Sequence, residues 1–361
     1  MYITLIFSTI LHVFFCIQTY FNYNFIKKTM NILVTGGLGF IGSNFIINLL
    51  KNYPEHKIVN IDNETDGSNH ENLGVYEQSE NYSFVKGSIT DYDLMKELIS
   101  NCDAVVNFAA HSHVDRSIEN ATPFIDSNIL GVFTLLEILK NQKKRFLHVS
   151  TDEVFGSLSS DTADENFRFN PSSPYAATKA SAELLINSYC ITYGINATIS
   201  RCSNNYGPRQ FVEKLIPKTI ILAESNHQIP VYNNGAGIRD WIYVTDHCDA
   251  LYLLLEQGQT GESYNISTSN EIDVLTVVKT ILDIMNKPHD LISFAGDRPG
   301  HDQRYSMSSN KLRENFNWEP KISFDDGIKQ TITWYIENKK WWSKIDLNSL
   351  TDGEWKKYFQ F

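Results

Sequence analysis

Cysteine is scarce in this chain and follows no pattern. Five cysteines (Cys16, Cys102, Cys190, Cys202 and Cys248) are spread over 361 residues, none in a Cys-x-x-Cys pair. An odd number without paired spacing argues against a disulfide frame and a cysteine zinc site, and fits reduced thiols in a cytoplasmic protein. Cys102, Cys190 and Cys202 adjoin apolar runs and are expected to be small buried hydrophobes. Positive charge is also short. There are 31 Lys and Arg against 42 Asp and Glu, a net charge of −11, which argues against nucleic acid as the partner. A nucleotide-bearing small molecule is compatible with that balance, because helix N-termini and local basic groups can hold its phosphates. Flexible linkers, internal repeats and low-complexity tracts are missing too, so one large domain or two closely packed ones are expected.

Charge of either sign is absent from Met1 to Ile26, before Lys27 and Lys28. Residues 1–29 therefore read as a separate hydrophobic extension. A membrane anchor would leave the main domain in the cytoplasm, by the position of the two lysines. The alternatives are a disordered leader and a translation start at Met30. A cleaved signal peptide fits less well, because the positive n-region is missing.

Asn31–Thr35 reads as a strand, followed at once by Gly36-Gly37-Leu38-Gly39-Phe40-Ile41-Gly42 and a helical pattern. Glycines at Gly36 or Gly37, Gly39 and Gly42 permit a tight turn and close backbone approach to a pyrophosphate, with the helix N-terminus behind it. A second strand, Lys57–Ile61, ends in Asp62, at the offset where a carboxylate holds the adenosine ribose hydroxyls and repels a 2′-phosphate. NAD is favoured over NADP. Strands are expected at Tyr82–Val85, Ala104–Phe108, Phe146–Ser150 and Ala197–Arg201, with helices at Asp91–Ser100, Pro123–Leu139 and Tyr175–Tyr193. That rhythm predicts an α/β fold with a doubly wound parallel sheet. Residues 30–200 form mainly the cofactor domain. Beyond residue 201 the alternation loosens into a smaller intertwined lobe, with some segments returning to the first. His111 and His113, after the fourth strand, lack the further spaced ligands of a metal site, so no metal is expected.

The stretch from Ser150 to Lys179 holds the most chemistry. Thr151, Asp152 and Glu153 follow an apolar run; Tyr175 and Lys179 sit four residues apart on one helix face. An ammonium beside a phenol is expected to lower the phenol's pKa toward working pH, giving a base for a hydroxyl whose carbon loses hydride.

With the Gly loop, Thr151 and Tyr175/Lys179, the chain resembles the extended short-chain dehydrogenase/reductase superfamily. Asp152-Glu153 narrows the resemblance to nucleotide-sugar 4,6-dehydratases, as do His113-Val114-Asp115-Arg116-Ser117-Ile118, Arg201-Cys202-Ser203-Asn204-Asn205-Tyr206-Gly207-Pro208, Glu213-Lys214-Leu215-Ile216-Pro217, Arg239-Asp240-Trp241 and Asp297-Arg298-Pro299-Gly300-His301-Asp302. The resemblance implies a Rossmann-type fold and a homodimer. It implies NAD held by Gly36, Gly39, Phe40, Ile41, Gly42, Asp62, Ser88, Ile89, Ala109, Ala110, Ser127, Tyr175, Lys179 and Asn205. It implies a nucleotide-sugar substrate, dTDP-glucose foremost, held by Ser112, Thr151, Asn204, Lys214, Leu215, Pro230, Tyr232, Arg239 (on the diphosphate), Arg298 and His301. Catalysis falls to Thr151, Asp152, Glu153, Tyr175 and Lys179: Tyr175 takes the C4 hydroxyl proton, Glu153 the C5 proton, and Asp152 protonates the departing C6 hydroxyl. The family usually has Glu where His111 stands and Asp where Ser88 stands. The stretch after Glu271 lacks an expected Asn, which leaves a uridine sugar open beside a thymidine one. A UDP-sugar epimerase or decarboxylase and a non-catalytic NAD sensor are the remaining alternatives.

Overall fold

The structure, a computed structural model, describes residues 29–65, 67–297, 299–347 and 350. The expected hydrophobic extension, with Cys16, falls almost wholly outside the described residues, as do Arg298 and Trp355. The described residues from Asn31 onward form one compact unit.

Seven parallel strands build the main sheet. β1 (Asn31–Thr35), β2 (Lys57–Asp62), β3 (Tyr82–Lys86), β4 (Ala104–Asn107), β5 (Arg145–Thr151) and β6 (Ala197–Cys202) come from the first two hundred residues. With β10 (Ser263–Ile266) from the later chain, the order is β10-β6-β5-β4-β1-β2-β3, so the winding reverses between β1 and β4. Loops at that switch point form the crevice in which such sheets bind ligands. β1, β4 and β5 are buried almost end to end, as a sheet covered on both faces requires, with β1 and β4 mainly apolar.

The helices follow their apolar periodicity. α1 (Phe40–Asn52) leaves the Gly loop; α2 (Tyr92–Ser100) is capped by Asp91, whose side chain accepts from Leu94 N. α3 (Val114–Glu119) and α4 (Thr122–Leu139, with a π-helical turn over Ile125–Gly131) lead to β5. α5 (Pro174–Tyr193) begins with Ser173, whose hydroxyl accepts from Ala176 N, and Pro174 in the first turn; it ends at Gly194, which is left-handed. The helices on one face of the sheet share a core of Leu33, Val105, Leu135, Phe146 and Ile186.

The later chain divides its allegiance. β7 (Asn204–Tyr206), β9 (Ile238–Tyr243) and β11 (Glu271–Asp273) make a small sheet, and β8 (Ile229–Tyr232) pairs with β12 (Ile292–Ala295). With α6 (Leu215–Glu224), α8 (Val274–Ile284) and α9 (Phe324–Glu337) they enclose a second core around Ile220, Trp241, Ile281 and Tyr335. Yet α7 (Val244–Gln257) packs on α1, β5 and β6, and β10 (Ser263–Ile266) completes the edge of the main sheet. Two tail tryptophans are tied by their indole N–H groups: Trp342 to Tyr335 O at 2.8 Å and Trp341 to Asn72 Oδ1 at 2.9 Å.

Candidate active site

A cleft of about 320 Å³ opens over the C-terminal ends of the central strands, within the size range of small-molecule sites. One end is the Gly loop. Gly36 has φ +71°, and a β-carbon on it would lie 2.7 Å from Ala109 N; one on Gly42 would lie 2.5 Å from Gly36 O. Both positions therefore require glycine, and the packing holds α1's first turn close against the end of β1. Asp62 closes β2. Its Oδ2 accepts from Leu38 N at 3.0 Å, and its Oδ1 from Ser68 Oγ at 2.7 Å and Glu64 N at 2.9 Å. Phe40, Ile41, Ser88, Ile89, Ala109, Ala110 and Ser127 line the same cleft, as do Ser112, Asn204 and Lys214. Asn205 lines it too, but its amide is engaged within the protein: Nδ2 donates to Ser203 O at 3.0 Å and Oδ1 faces His247 Nδ1 at 2.9 Å.

The other end carries the acid–base groups. Thr151 is the last residue of β5 and caps a 3-10 turn over Asp152–Phe155; its Oγ1 accepts from Glu153 N at 3.3 Å and donates to Asp152 Oδ1 at 3.1 Å. The turn stops at Gly156, where φ is +68° and a β-carbon would strike Asn170 O. Behind it, the Arg201 guanidinium lies over the rings of Phe155 and Phe169 and bonds the buried Glu183 carboxylate through Nε at 2.9 Å. This packing fixes the dipeptide on a rigid base.

The two carboxylates do not share one environment. Burial, reinforced by the neighbouring Glu153 charge, pushes Asp152 up to about 8. It therefore keeps its proton near neutral pH, as an acid must. Tyr175 and Lys179 both enter the cleft, but the phenol departs from the sequence expectation. Burial, with the charges of Glu153 and Cys202 and a smaller contribution from Asp152, raises it well above its ordinary value; its hydrogen bond to Thr151 pulls the other way. Burial also pushes the Lys179 amine down, to about 8.

Several expected substrate residues lie apart from this cleft's walls. Leu215 opens α6 and packs on the second core. Pro230 is paired opposite Ser293, and the Tyr232 ring lies under Lys218. Arg239 is buried, its NH1 donating to Ile238 O and Gln303 O and its NH2 to Asp302 O, with His301 Nε2 3.3 Å away. His301 Nδ1 in turn meets Asp297 Oδ1 at 2.5 Å. The Arg239 charge still reaches Asp152, whose carboxylate it favours. His111 donates its backbone N–H to Asn128 Oδ1 at 3.0 Å, and His113 Nε2 lies 3.1 Å from Glu213 Oε2.

Beside the expected Asn204, the cleft holds two serines, Ser150 and Ser203, that were given no role from sequence. Among the described residues, Ser150 Oγ, Ser203 Oγ and Asn204 Oδ1 are buried in the cleft wall without a hydrogen-bond partner. Such atoms are costly unless a bound molecule satisfies them. Gln210 and Phe211 also line the cleft from the loop before Lys214. Only their place beside the Arg201–Pro208 stretch could have suggested this.

Comparison with known proteins agrees with this geometry. The family described as GDP-mannose 4,6 dehydratase matches residues 33–331. A dTDP-glucose 4,6-dehydratase of Mycobacterium tuberculosis is 42% identical over 320 residues, 88% of this chain and 96% of that protein. The low-salt glycan biosynthesis protein Agl12 of Haloferax volcanii is 44% identical over 308 residues, 85% of this chain and 99% of that one. The crystal structure of DesIV, a dTDP-glucose 4,6-dehydratase from Streptomyces venezuelae with NAD and TYD bound, superposes with a TM-score of 0.86 at 39% identity. It covers 88% of this chain and 100% of that one.

Proposed function

The chain belongs to the nucleotide-sugar 4,6-dehydratases, among the dTDP-glucose 4,6-dehydratases, and from that membership we propose that it converts dTDP-glucose to dTDP-4-keto-6-deoxyglucose in an NAD-dependent internal redox cycle. One observation carries the reading. A buried carboxyl that keeps its proton, Asp152, stands beside Glu153 in a cleft that also holds Tyr175, Lys179 and the Gly loop.

The cleft suits a dinucleotide. The Gly loop and the first turn of α1 would take the pyrophosphate, Asp62 the adenosine ribose, and Ser88 and Ile89 the adenine side. Ala109, Ala110 and Ser127, with Tyr175 and Lys179, would flank the nicotinamide side. NAD supplies a hydride acceptor that returns the hydride within the same turnover. The protein's own groups move the protons. Tyr175 takes the proton of the C4 hydroxyl, and Thr151 hydrogen-bonds the resulting C4 carbonyl. That carbonyl acidifies C5, from which Glu153 takes a proton. Asp152 gives its proton to the C6 hydroxyl as the C–O bond breaks and water leaves. Asn204, Ser112 and Lys214 line the sugar and phosphate side, with Arg239 as a fixed cation nearby. Leu215, Pro230, Tyr232 and His301 are assigned to the nucleoside. Incubated with dTDP-glucose and no added reductant, the enzyme is expected to release a keto-deoxy product lighter by one water. Recovery of a C4 epimer or a decarboxylated sugar would place it with the rival activities.

The reading extends to assembly and location. Ile125, Leu130 and Phe133 on α4 and Leu184 and Ile191 on α5 are exposed apolar side chains on two helices that pack together. They support a homodimer formed through this face, as the resemblance implies. Leu130→Asp combined with Ile191→Asp should halve the sedimenting mass; an unchanged mass would dismiss this interface. Reduced, mostly buried cysteines at 102, 190, 202 and 248 fit a cytoplasmic enzyme.

A further inference from the structure

We propose that Arg209 is a positioning residue for NAD: through Asn72 and Asn44 it holds the Gly loop in the shape that receives the pyrophosphate, so that cofactor affinity depends on the later half of the chain. The inference rests on the Gly loop being the pyrophosphate site.

Leu38 anchors the Gly loop from inside. Its side chain is sealed from solvent, and it stands outside the cleft wall. Its N–H donates to Asp62 Oδ2 at 3.0 Å. Its carbonyl accepts from Asn72 Nδ2 at 2.7 Å and from Asn69 N at 3.1 Å. With that carbonyl held inside the protein by two donors, the N–H groups of the loop and of α1's first turn are left to face an anion.

Both polar ends of the buried Asn72 answer to residues far along the chain. Its Oδ1 accepts from Trp341 Nε1 at 2.9 Å, which leaves Nδ2 for Leu38, and its backbone carbonyl accepts from Arg209 Nε at 2.6 Å. Arg209 NH1 donates to Asn44 Oδ1 at 3.3 Å. Asn44, buried on α1, donates Nδ2 to Phe40 O at 2.9 Å and to Pro208 O at 3.0 Å. One forked guanidinium thus ties the turn that holds Leu38 to the start of α1. It also lies over the Trp334 ring at 5.7 Å, and that ring stands 5.2 Å from Trp341.

The backbone at Arg209 is left-handed, with φ +71°. That conformation is unfavourable for a residue with a β-carbon and persists only where the surroundings fix it. Here the next residue supplies the reason. Gln210 lines the cleft, its Nε2 donating to Asn205 O at 2.8 Å and its carbonyl accepting from the Tyr335 hydroxyl. Adjacent side chains are therefore set to different tasks, Arg209 behind the Gly loop and Gln210 in the cleft wall.

Calorimetric titration of the cofactor-stripped enzyme with NAD tests the role. Arg209→Lys keeps the charge and the stem but loses the fork, and the Kd for NAD should rise about threefold to tenfold, the size of one hydrogen bond. Arg209→Gly, which the left-handed backbone suits, should raise it further. Trp341→Phe, which keeps a ring beside Trp334 but removes the N–H to Asn72, should raise it about threefold. At saturating NAD, kcat and the KM for dTDP-glucose should return to within about twofold of the unaltered values, which a general loosening of the fold would not permit. In hydrogen exchange of the cofactor-free protein, the peptide carrying Gly37 and Leu38 should exchange faster in both Arg209 variants. An unaltered Kd in Arg209→Lys and Arg209→Gly, or a loss of kcat that excess NAD does not restore, would overturn the proposal. Should Arg209→Gly fail to fold, Arg209→Lys and its exchange rates decide alone. Gly39→Asp tests the premise separately. Gly39 is the extended N-cap of α1, a position that accepts aspartate, yet a carboxylate there would meet the pyrophosphate. If that variant binds NAD as the unaltered enzyme does, the assignment of the loop falls instead.

Discussion

In D₂O, Glu153→Gln should still oxidise the sugar at C4 but place no solvent deuterium at C5. Turnover to the keto-deoxy product should fall about 10²–10⁴-fold, the usual contribution of a positioned general base. The substitution keeps the shape of a residue on a turn whose backbone is fixed by the Thr151 cap, so the loss is chemical rather than structural. A glutamine cannot take the C5 proton, while Tyr175 and Lys179, the residues proposed to act on C4, are untouched. NADH should accordingly accumulate on the variant in substrate excess. Deuterium entering C5 at the unaltered rate, read by mass spectrometry of the product or recovered substrate, would remove Glu153 from the role of base.

Asp152→Asn should cost a comparable factor, about 10²–10⁴, at the elimination step, and should make the protein more stable. The carboxyl is pushed up to about 8, first by burial and then by Glu153. Its folded-state value thus lies above its unfolded value. Stability from this group is fully present below the unfolded pKa and declines as pH rises through that window toward 8. At neutral pH the native enzyme therefore carries a penalty that an asparagine avoids. The variant should gain on the order of 1–3 kcal/mol at pH 7–8 and nothing at pH 3. Thermal unfolding across that range checks the sign: an Asn variant no more stable at pH 8 than the unaltered enzyme would contradict the buried, protonated acid. If Asp152 is the acid as proposed, elimination in the unaltered enzyme should weaken as pH passes upward through about 8, where its carboxyl loses the proton.

Much of the fold was legible because it rests on local rules. Gly36, Gly42 and Asp62 mark the ends of β1 and β2 by spacing alone, and Ser173, Pro174 and Gly194 delimit α5 by cap chemistry. That Thr151, Asp152, Glu153, Tyr175 and Lys179 would line one cleft was legible from residue types and spacing. What sequence does not contain is how deeply each group is buried. Adjacent in the chain, Asp152 is sealed while Glu153 is part-exposed. The i, i+4 spacing of Tyr175 and Lys179 brings both into the cleft, yet Nζ reaches back to Val149 O and His148, and the phenol rises instead of falling. Arg239 illustrates the same gap: the motif marks a cation, while only the folded chain shows its N–H groups turned to the carbonyls of residues 238, 302 and 303.

Strand β10 carries a consequence for how this molecule is made. The edge of β6 acquires its partner only when residues 263–266 have been synthesised. Until then a nascent chain presents a parallel sheet with an open, apolar margin, the kind of edge that recruits other chains. A gene cut after β6 would therefore not yield a self-sufficient half. Likewise, exchanging the later lobe between relatives would require the recipient to keep its own α7 and β10, since the boundary between halves runs through the fold rather than along the sequence.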